Sequence, residues 1–140
     1  MTDQQHHQDL VERVRQAGLR PTRQRVALAR LLFGHGSARH VTAEQLHSEA
    51  KAAAMPVSLA TVYNALNQFT EAGLLREVVV EPGRSYFDTN TDPHHHFYFE
   101  TSGQLQDIPA HEVELARTPE APAGTHVDRV EVMIRVREDG

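Results

Sequence analysis

Three consecutive histidines, His94-His95-His96 in the stretch DPHHHFYFE, are the residues of this 140-residue chain with the clearest coordination chemistry. In an extended segment successive side chains point to opposite faces, so His94 and His96 share one side and His95 faces the other. Neutral imidazole suits zinc, iron, manganese in mixed sites, and haem iron. Cysteine is absent, which excludes disulfides, thiolate nucleophiles and every zinc or iron–sulfur site built on sulfur. Any further ligands must be carboxylates or histidines. Asp88, Asp92, Glu100 and Asp107 are close in sequence, and His40 and His126 are more distant. The competing interpretation of the triplet is a polar hinge rich in histidine with no ligand. His6 and His7 fall in a segment expected to be disordered, and His35 and His47 have no evident partner. Phe97, Tyr98 and Phe99 read as strand core rather than as a haem cushion.

A second chemistry lies in the charge distribution. The net charge is −5, yet residues 1–88 hold ten Lys+Arg against nine Asp+Glu, while residues 89–140 hold four against ten. Arg13, Arg15, Arg20, Arg23, Arg25, Arg30 and Arg39 occur with no acidic residue from Arg13 through Ala43. Such a run either faces phosphates, releasing condensed counterions, or forms a solvated helix face. Arginine rather than lysine favours bidentate phosphate or guanine contacts. No nucleophile–base pair and no local catalytic motif such as HExxH is present. A small His/carboxylate metalloenzyme is therefore the remote alternative.

The elements that must position these residues follow from periodicity and capping. Leu10, Val11 and Val14 predict a helix over 8–17, stopped by Gly18. Thr22 caps a second helix over 23–33, and Thr42 with Gln45 forms a capping box for a third over 43–53, ended by Met55-Pro56. Ser58 opens a fourth helix, SLATVYNALNQFTEAG, with Val62, Leu66 and Phe69 toward the core and Tyr63, Asn64, Asn67 and Gln68 on other faces. LLREVVV and RSYFD, joined by Glu81-Pro82-Gly83, predict a two-stranded hairpin. This order is that of a winged helix-turn-helix domain, with helix four in the major groove and the hairpin wing on the backbone. Tyr63 is then either a packed rim residue or a reader of base edges and thymine methyls, beside Asn64, whose amide suits adenine.

The second part begins after a polar hinge at 89–93. Strands are expected at 97–100 and 104–108, a short helix at 111–116, and a last strand over 126–136 with Val130, Val132, Ile134 and Val136 on one face. Some fifty residues bury little core alone, so pairing with a second copy is expected, and it would suit two DNA half-sites. The longest apolar run is only a few residues, so no membrane span is expected, and the expected compartment is the cytosol. The fold class expected is α+β: a winged-helix domain over 1–88 and a small α/β dimerisation and sensing domain over 94–140.

The segments AGLRPTRQR, HVTAEQL, SLATVYNALNQFTEAGLL and SYFD, followed by a histidine cluster, resemble the ferric uptake regulator (Fur) family of dimeric metal-sensing repressors. RPTRQRVALARLLF, VSLATVYN, YFDTN and HHHFY together resemble most its iron response regulator (Irr) branch of alphaproteobacteria. The resemblance covers nearly the whole chain. It implies that Tyr63 contacts bases and that Arg20 and Arg25 are DNA-contacting positions. Asn64 replaces an arginine common in the Fur branch, which implies a different operator. With Arg23, Ser58 and Thr61 these residues make up the expected contact set for double-stranded DNA carrying an AT-rich inverted repeat.

For the sensor, the resemblance implies a divalent metal (Mn, Fe or Zn) held by His40, Asp88, His94, His96 and Asp107. A haem or second metal site is implied among His94, His95, His96, Glu114 and His126. His95 falls where the family has an aspartate, and Pro93 replaces a histidine of that second site. Phe99 and Ser102 occupy the family's CxxC positions, so no thiolate zinc site exists. No Cys-Pro haem motif is present either, which makes imidazole the expected axial ligand. The expected function is a homodimeric repressor of iron and haem genes, relieved by haem. The sibling alternative responds to divalent metal only.

Overall fold

A computed structural model describes residues 2–139. The chain divides into two compact units, residues 1–91 and 92–140.

The first unit holds four helices and three strands. They are α1 (Asp3–Gln16), α2 (Arg23–Phe33), β1 (His40–Val41), α3 (Ala43–Ala52), α4 (Leu59–Glu71), β2 (Arg76–Glu81) and β3 (Arg84–Asp88). Each helix opens on a hydroxyl cap. Thr22 accepts from the Arg25 amide, Ser58 accepts from the Thr61 amide, and Thr42 closes a reciprocal box with Gln45. Thr2 makes the same box with Gln5, so α1 begins at Asp3 rather than at residue 8. His6 and His7 are therefore helical, and His7 Nδ1 lies 3.0 Å from an Arg30 guanidinium nitrogen.

Three helix ends use one closing motif. Leu19 N–H donates to Val14 O, Leu74 N–H to Phe69 O and Met55 N–H to Ala50 O. In each, the residue before the donor takes a left-handed conformation: Gly18 (φ 84°), Gly73 (φ 84°) and Ala54 (φ 57°). It is this turn, rather than Pro56 alone, that ends α3. A Cβ in that region is strained, so Ala54→Gly is expected to stabilise the first unit by about 0.5–1 kcal/mol. Thermal unfolding checks this, and a lowered midpoint would refute it.

The core of this unit gathers one face of every helix: Val14, Leu28, Leu32, Leu46, Val62, Leu66 and Phe69, closed by Phe87 from the sheet. The sheet order is β1-β3-β2, all antiparallel. The hairpin turns at Gly83 (φ 75°). The third strand, β1, was not expected. Two residues carry no periodic signal, and β1 exists only because β3 pairs with it, His40 opposite Asp88 and Val41 opposite Phe87.

The second unit is a three-stranded sheet of order β5-β4-β6, from β4 (His94–Phe99), β5 (Leu105–Pro109) and β6 (Met133–Val136). The central strand β4 runs antiparallel to β5 and parallel to β6. The histidine triplet lies within β4, not before it. Two expectations are corrected. The helix at 111–116 is a single 3-10 turn, Ala110–Glu112, with no side-chain cap and no buried residue to hold it. The strand over 126–136 is reduced to Met133–Val136, the stretch that finds a partner on β4. The buried apolar side chains of this unit are Tyr98, Leu105 and Ile108, whereas Leu115, Val127, Val130 and Ile134 are exposed. Among the described residues no helix is long and apolar enough to cross a membrane.

Candidate metal centre and nucleic-acid interface

The alternation of a strand puts His94 and His96 on one face of β4, where their ring centroids are 4.6 Å apart. Antiparallel pairing sets Asp107 of β5 directly opposite His96. Its Oδ1 stands 3.5 Å from His94 Nε2 and 3.4 Å from His96 Nε2. These separations are long for hydrogen bonds. They match the spacing of ligands on one cation, because two donors each about 2.1 Å from an ion stand roughly 3.0–3.4 Å apart at octahedral to tetrahedral angles.

The tautomer of His94 supports the same conclusion. Its Nδ1 is 2.7 Å from the Asp92 carbonyl oxygen, which can only accept, so the proton sits on Nδ1. With Nδ1 bonded to that carbonyl, Nε2 is the ring nitrogen left to offer a lone pair to a cation on the Asp107 side. A backbone carbonyl fixing the far nitrogen is also how metal-ligating imidazoles are oriented. Both rings are buried, and Asp107 is the half-exposed member. A donor set of two nitrogens and one oxygen without sulfur fits Mn²⁺, Fe²⁺ or Zn²⁺.

The other expected ligands are placed as follows. In the first unit, His40 on β1 pairs in register with Asp88 on β3, and its ring meets Tyr86 edge-on at 5.8 Å. Asp88 is buried, and its Oδ1 accepts the Asn90 amide at 2.9 Å. In the second unit, Asp92 contributes its carbonyl to His94, and Glu100 pairs with Arg135 and Arg137. Glu114 and His126 are exposed, and among the described residues neither joins the ligand cluster.

His95, on the opposite face of β4, has a structural partner: the Val132 amide donates to its Nδ1 at 2.9 Å. That bond ties the chain entering β6 to the central strand. His95→Ala is expected to destabilise the second unit by about 1–3 kcal/mol, the cost of stranding a half-buried amide, and to leave metal affinity within about threefold. Thermal melting and metal titration of the same variant check both halves. A large loss of affinity would make His95 a ligand.

The arginine run divides by role. Arg39 donates to both carboxylate oxygens of Glu49, at 2.9 and 2.6 Å, and to the Leu31 carbonyl at 3.1 Å, which makes it a tie between β1, α2 and α3. Arg13 lies 4.0 Å over the Phe33 ring, and Arg15 pairs with Glu12. Arg25 is held on α4 by Gln68 Oε1, at 3.2 and 3.0 Å, and by the Arg20 carbonyl at 2.9 Å. Arg20, Arg25, Thr61, Asn64 and Gln68 line one groove of about 410 Å³ between α2 and α4. Arg23 faces a different groove, with His7, Pro21 and Arg30. Ser58 caps α4 with its hydroxyl.

Tyr63 projects from the other side of α4, toward the wing. It lines a groove of about 630 Å³ with Glu44, Asn67, Glu77, Arg84 and Ser85. Its hydroxyl donates to Glu44 Oε1 at 2.7 Å. This bond, first among the causes, holds the Glu44 carboxyl below its usual value and raises the Tyr63 hydroxyl above its own. Asn67 lies one turn beyond Tyr63 on α4, as the helical spacing predicts, but sequence reasoning missed Glu44 and Arg84. These two approach Tyr63 only through the packing of α3 and the hairpin on α4.

A four-helix unit with a wing, followed by a small sheet bearing a thiolate-free His/Asp cluster, has the organisation of a metal-responsive transcription regulator. The chain belongs to the Ferric uptake regulator family, whose model matches residues 16–135. It is 34% identical over 101 residues to the peroxide-responsive repressor PerR of Staphylococcus aureus, covering 72% of this chain and 67% of that protein. Its fold is similar to the ferric uptake regulator of Pseudomonas aeruginosa with manganese, at TM-score 0.71 and 26% identity, covering 92% of this chain and 97% of that one. The Vibrio cholerae ferric uptake regulator shares the fold at TM-score 0.67 and 21% identity, over 90% and 97% of the two chains. Regulators of this family are DNA-binding dimers that respond to divalent metals, not enzymes, which sets the metalloenzyme alternative aside.

Proposed function

We propose that this chain is a cytoplasmic homodimeric regulator, mainly a repressor, of iron and haem homeostasis genes, of the iron response regulator branch. Its DNA binding is promoted by a divalent ion and relieved by haem. The observation that carries the reading is the convergence of His94 Nε2 and His96 Nε2 on Asp107, with His94 pinned through Nδ1. His40 and Asp88 are the further ligands that the family resemblance implies. The ion supplies a fixed positive charge shared by imidazoles and carboxylates. The residues of the chain do the rest: Asp92 orients His94, and β4–β5 pairing holds His96 against Asp107.

The exposed Val130 and Ile134, with Leu115 and Val127, offer the apolar surface against which a second copy packs. Arg20, Arg23 and Arg25 face phosphates, Ser58 and Thr61 at the start of α4 approach the backbone, and Tyr63 and Asn64 meet base edges of an AT-rich inverted repeat. Relief by haem follows if haem iron takes an imidazole of His94 or His96, since a ligand shifts an equilibrium only by its differential affinity for two states. The branch resemblance and the lack of any thiolate support this assignment.

The test is fluorescence anisotropy of a labelled AT-rich inverted repeat with Mn²⁺-loaded protein, titrated with haem at fixed salt. Loss of binding at near-stoichiometric haem is the expected result. Unchanged binding would leave the second reading, a regulator that answers to divalent metal alone. What favours that second reading is that two imidazoles and a carboxylate converge without any need of haem.

A further inference from the structure

The two grooves that flank α4 differ in charge. The Arg25 side carries two arginines and no carboxylate, as a phosphate-facing surface requires. The Tyr63 side carries Glu44 and Glu77 against Arg84 alone. A carboxylate beside the tyrosine of a DNA-reading helix repels phosphate, so it weakens binding to any duplex irrespective of sequence. Its return must be in what it does to Tyr63.

That ring is 38% exposed, so packing alone does not fix its direction. The hydrogen bond to Glu44 does, at 2.7 Å from the first turn of the neighbouring helix. The bond also uses the only proton of the hydroxyl, leaving its oxygen to act as an acceptor. A tyrosine so held presents one ring edge and one acceptor, a pattern matched by a thymine methyl beside an adenine amino group and mismatched by guanine O6 and N7.

We propose that Glu44 is a specificity-determining residue of the DNA interface. It positions Tyr63 for base reading and, by its charge, disfavours duplexes that offer only phosphate. This rests on the assignment of Tyr63 to base contact made above.

The test uses the full-length Mn²⁺-loaded protein, an operator selected by the wild-type protein from a randomised duplex library, and a scrambled duplex of equal length. Glu44→Ala is expected to weaken operator binding about tenfold and to leave scrambled-duplex binding unchanged or about twofold tighter, so that the specificity ratio falls. Glu44→Gln, which still accepts from the hydroxyl, is expected to retain most of the operator affinity. Tyr63→Phe should weaken operator binding much as Glu44→Ala does, and the double variant should be no worse than either single one.

Equal loss on both duplexes would overturn the proposal in favour of a folding role, with thermal melts reporting it. Equal tightening on both would reduce Glu44 to a bystander charge. Multiplicative losses in the double variant would separate Glu44 from Tyr63. If Tyr63→Phe binds the operator normally, the base-reading assignment of Tyr63 fails and the role of Glu44 falls with it. If the wild-type protein selects no sequence at all, the regulator reading itself fails.

Discussion

Replacing His94 and His96 together with alanine is expected to lower affinity for Mn²⁺ and Zn²⁺ by at least about a thousandfold, equivalent to about 4 kcal/mol. Both Nε2 atoms converge on Asp107, and removing the two imidazoles leaves one half-exposed carboxylate in this unit to hold an ion. Loss of a single outer partner of a metal ligand already costs about 10–100-fold. Isothermal titration gives the affinity, and anisotropy with and without Mn²⁺ shows whether operator binding still responds to the ion. Retained affinity with retained Mn²⁺ response would place the sensing ion elsewhere. His95→Ala serves as the control, since it removes a histidine from the same strand whose nitrogen is bonded to the Val132 amide.

Arg39→Ala is expected to destabilise the first unit by about 2–3 kcal/mol. The figure lies below that for a fully buried pair because about a quarter of the Arg39 side chain and a third of the Glu49 side chain remain exposed. The substitution strands the Glu49 carboxylate and the Leu31 carbonyl. It also loosens the start of β1, where the Arg39 backbone exchanges hydrogen bonds with Thr89. Arg23→Ala, drawn from the same basic run but exposed, should change stability by less than about 0.5 kcal/mol. Chemical denaturation of both variants decides the matter. Equal, small effects would refute the structural role of Arg39.

That contrast shows where sequence reasoning stops. The run of seven arginines with no acidic residue from Arg13 through Ala43 is plain in the sequence, but the acids that occupy two of them lie outside it. Glu49 reaches Arg39 only by the packing of α3, whereas Glu12 and Arg15 are an i,i+3 pair within α1. Likewise Glu44 is nineteen residues from Tyr63, and no periodicity connects a residue in the first turn of one helix to the middle of the next.

Local chemistry, in contrast, was legible. Hydroxyl residues at Thr22, Thr42 and Ser58 mark helix starts because a cap acts within three residues. Glu81-Pro82-Gly83 marks the wing because a turn is equally local. The misses have the same logic. Helix α1 starts earlier than the sequence predicts because its apolar pattern begins a full two turns after its Thr2 cap. Strand β6 is shorter than its alternation, which starts at Val130, ahead of the first residue that pairs with β4.

The sequence by itself determined the α+β order of elements, the exclusion of thiolate chemistry, the shared face of His94 and His96, and the apolar stripe of each helix. All of these depend on residue type or on the 2.0 and 3.6 periods. Tertiary structure decided the register that sets Asp107 against the histidines, that Arg39 is engaged by Glu49, that His95 serves β6, and that Tyr63 is tethered. These are contacts between residues distant in the chain. Strand register and helix packing create them, and neither is written in any short segment.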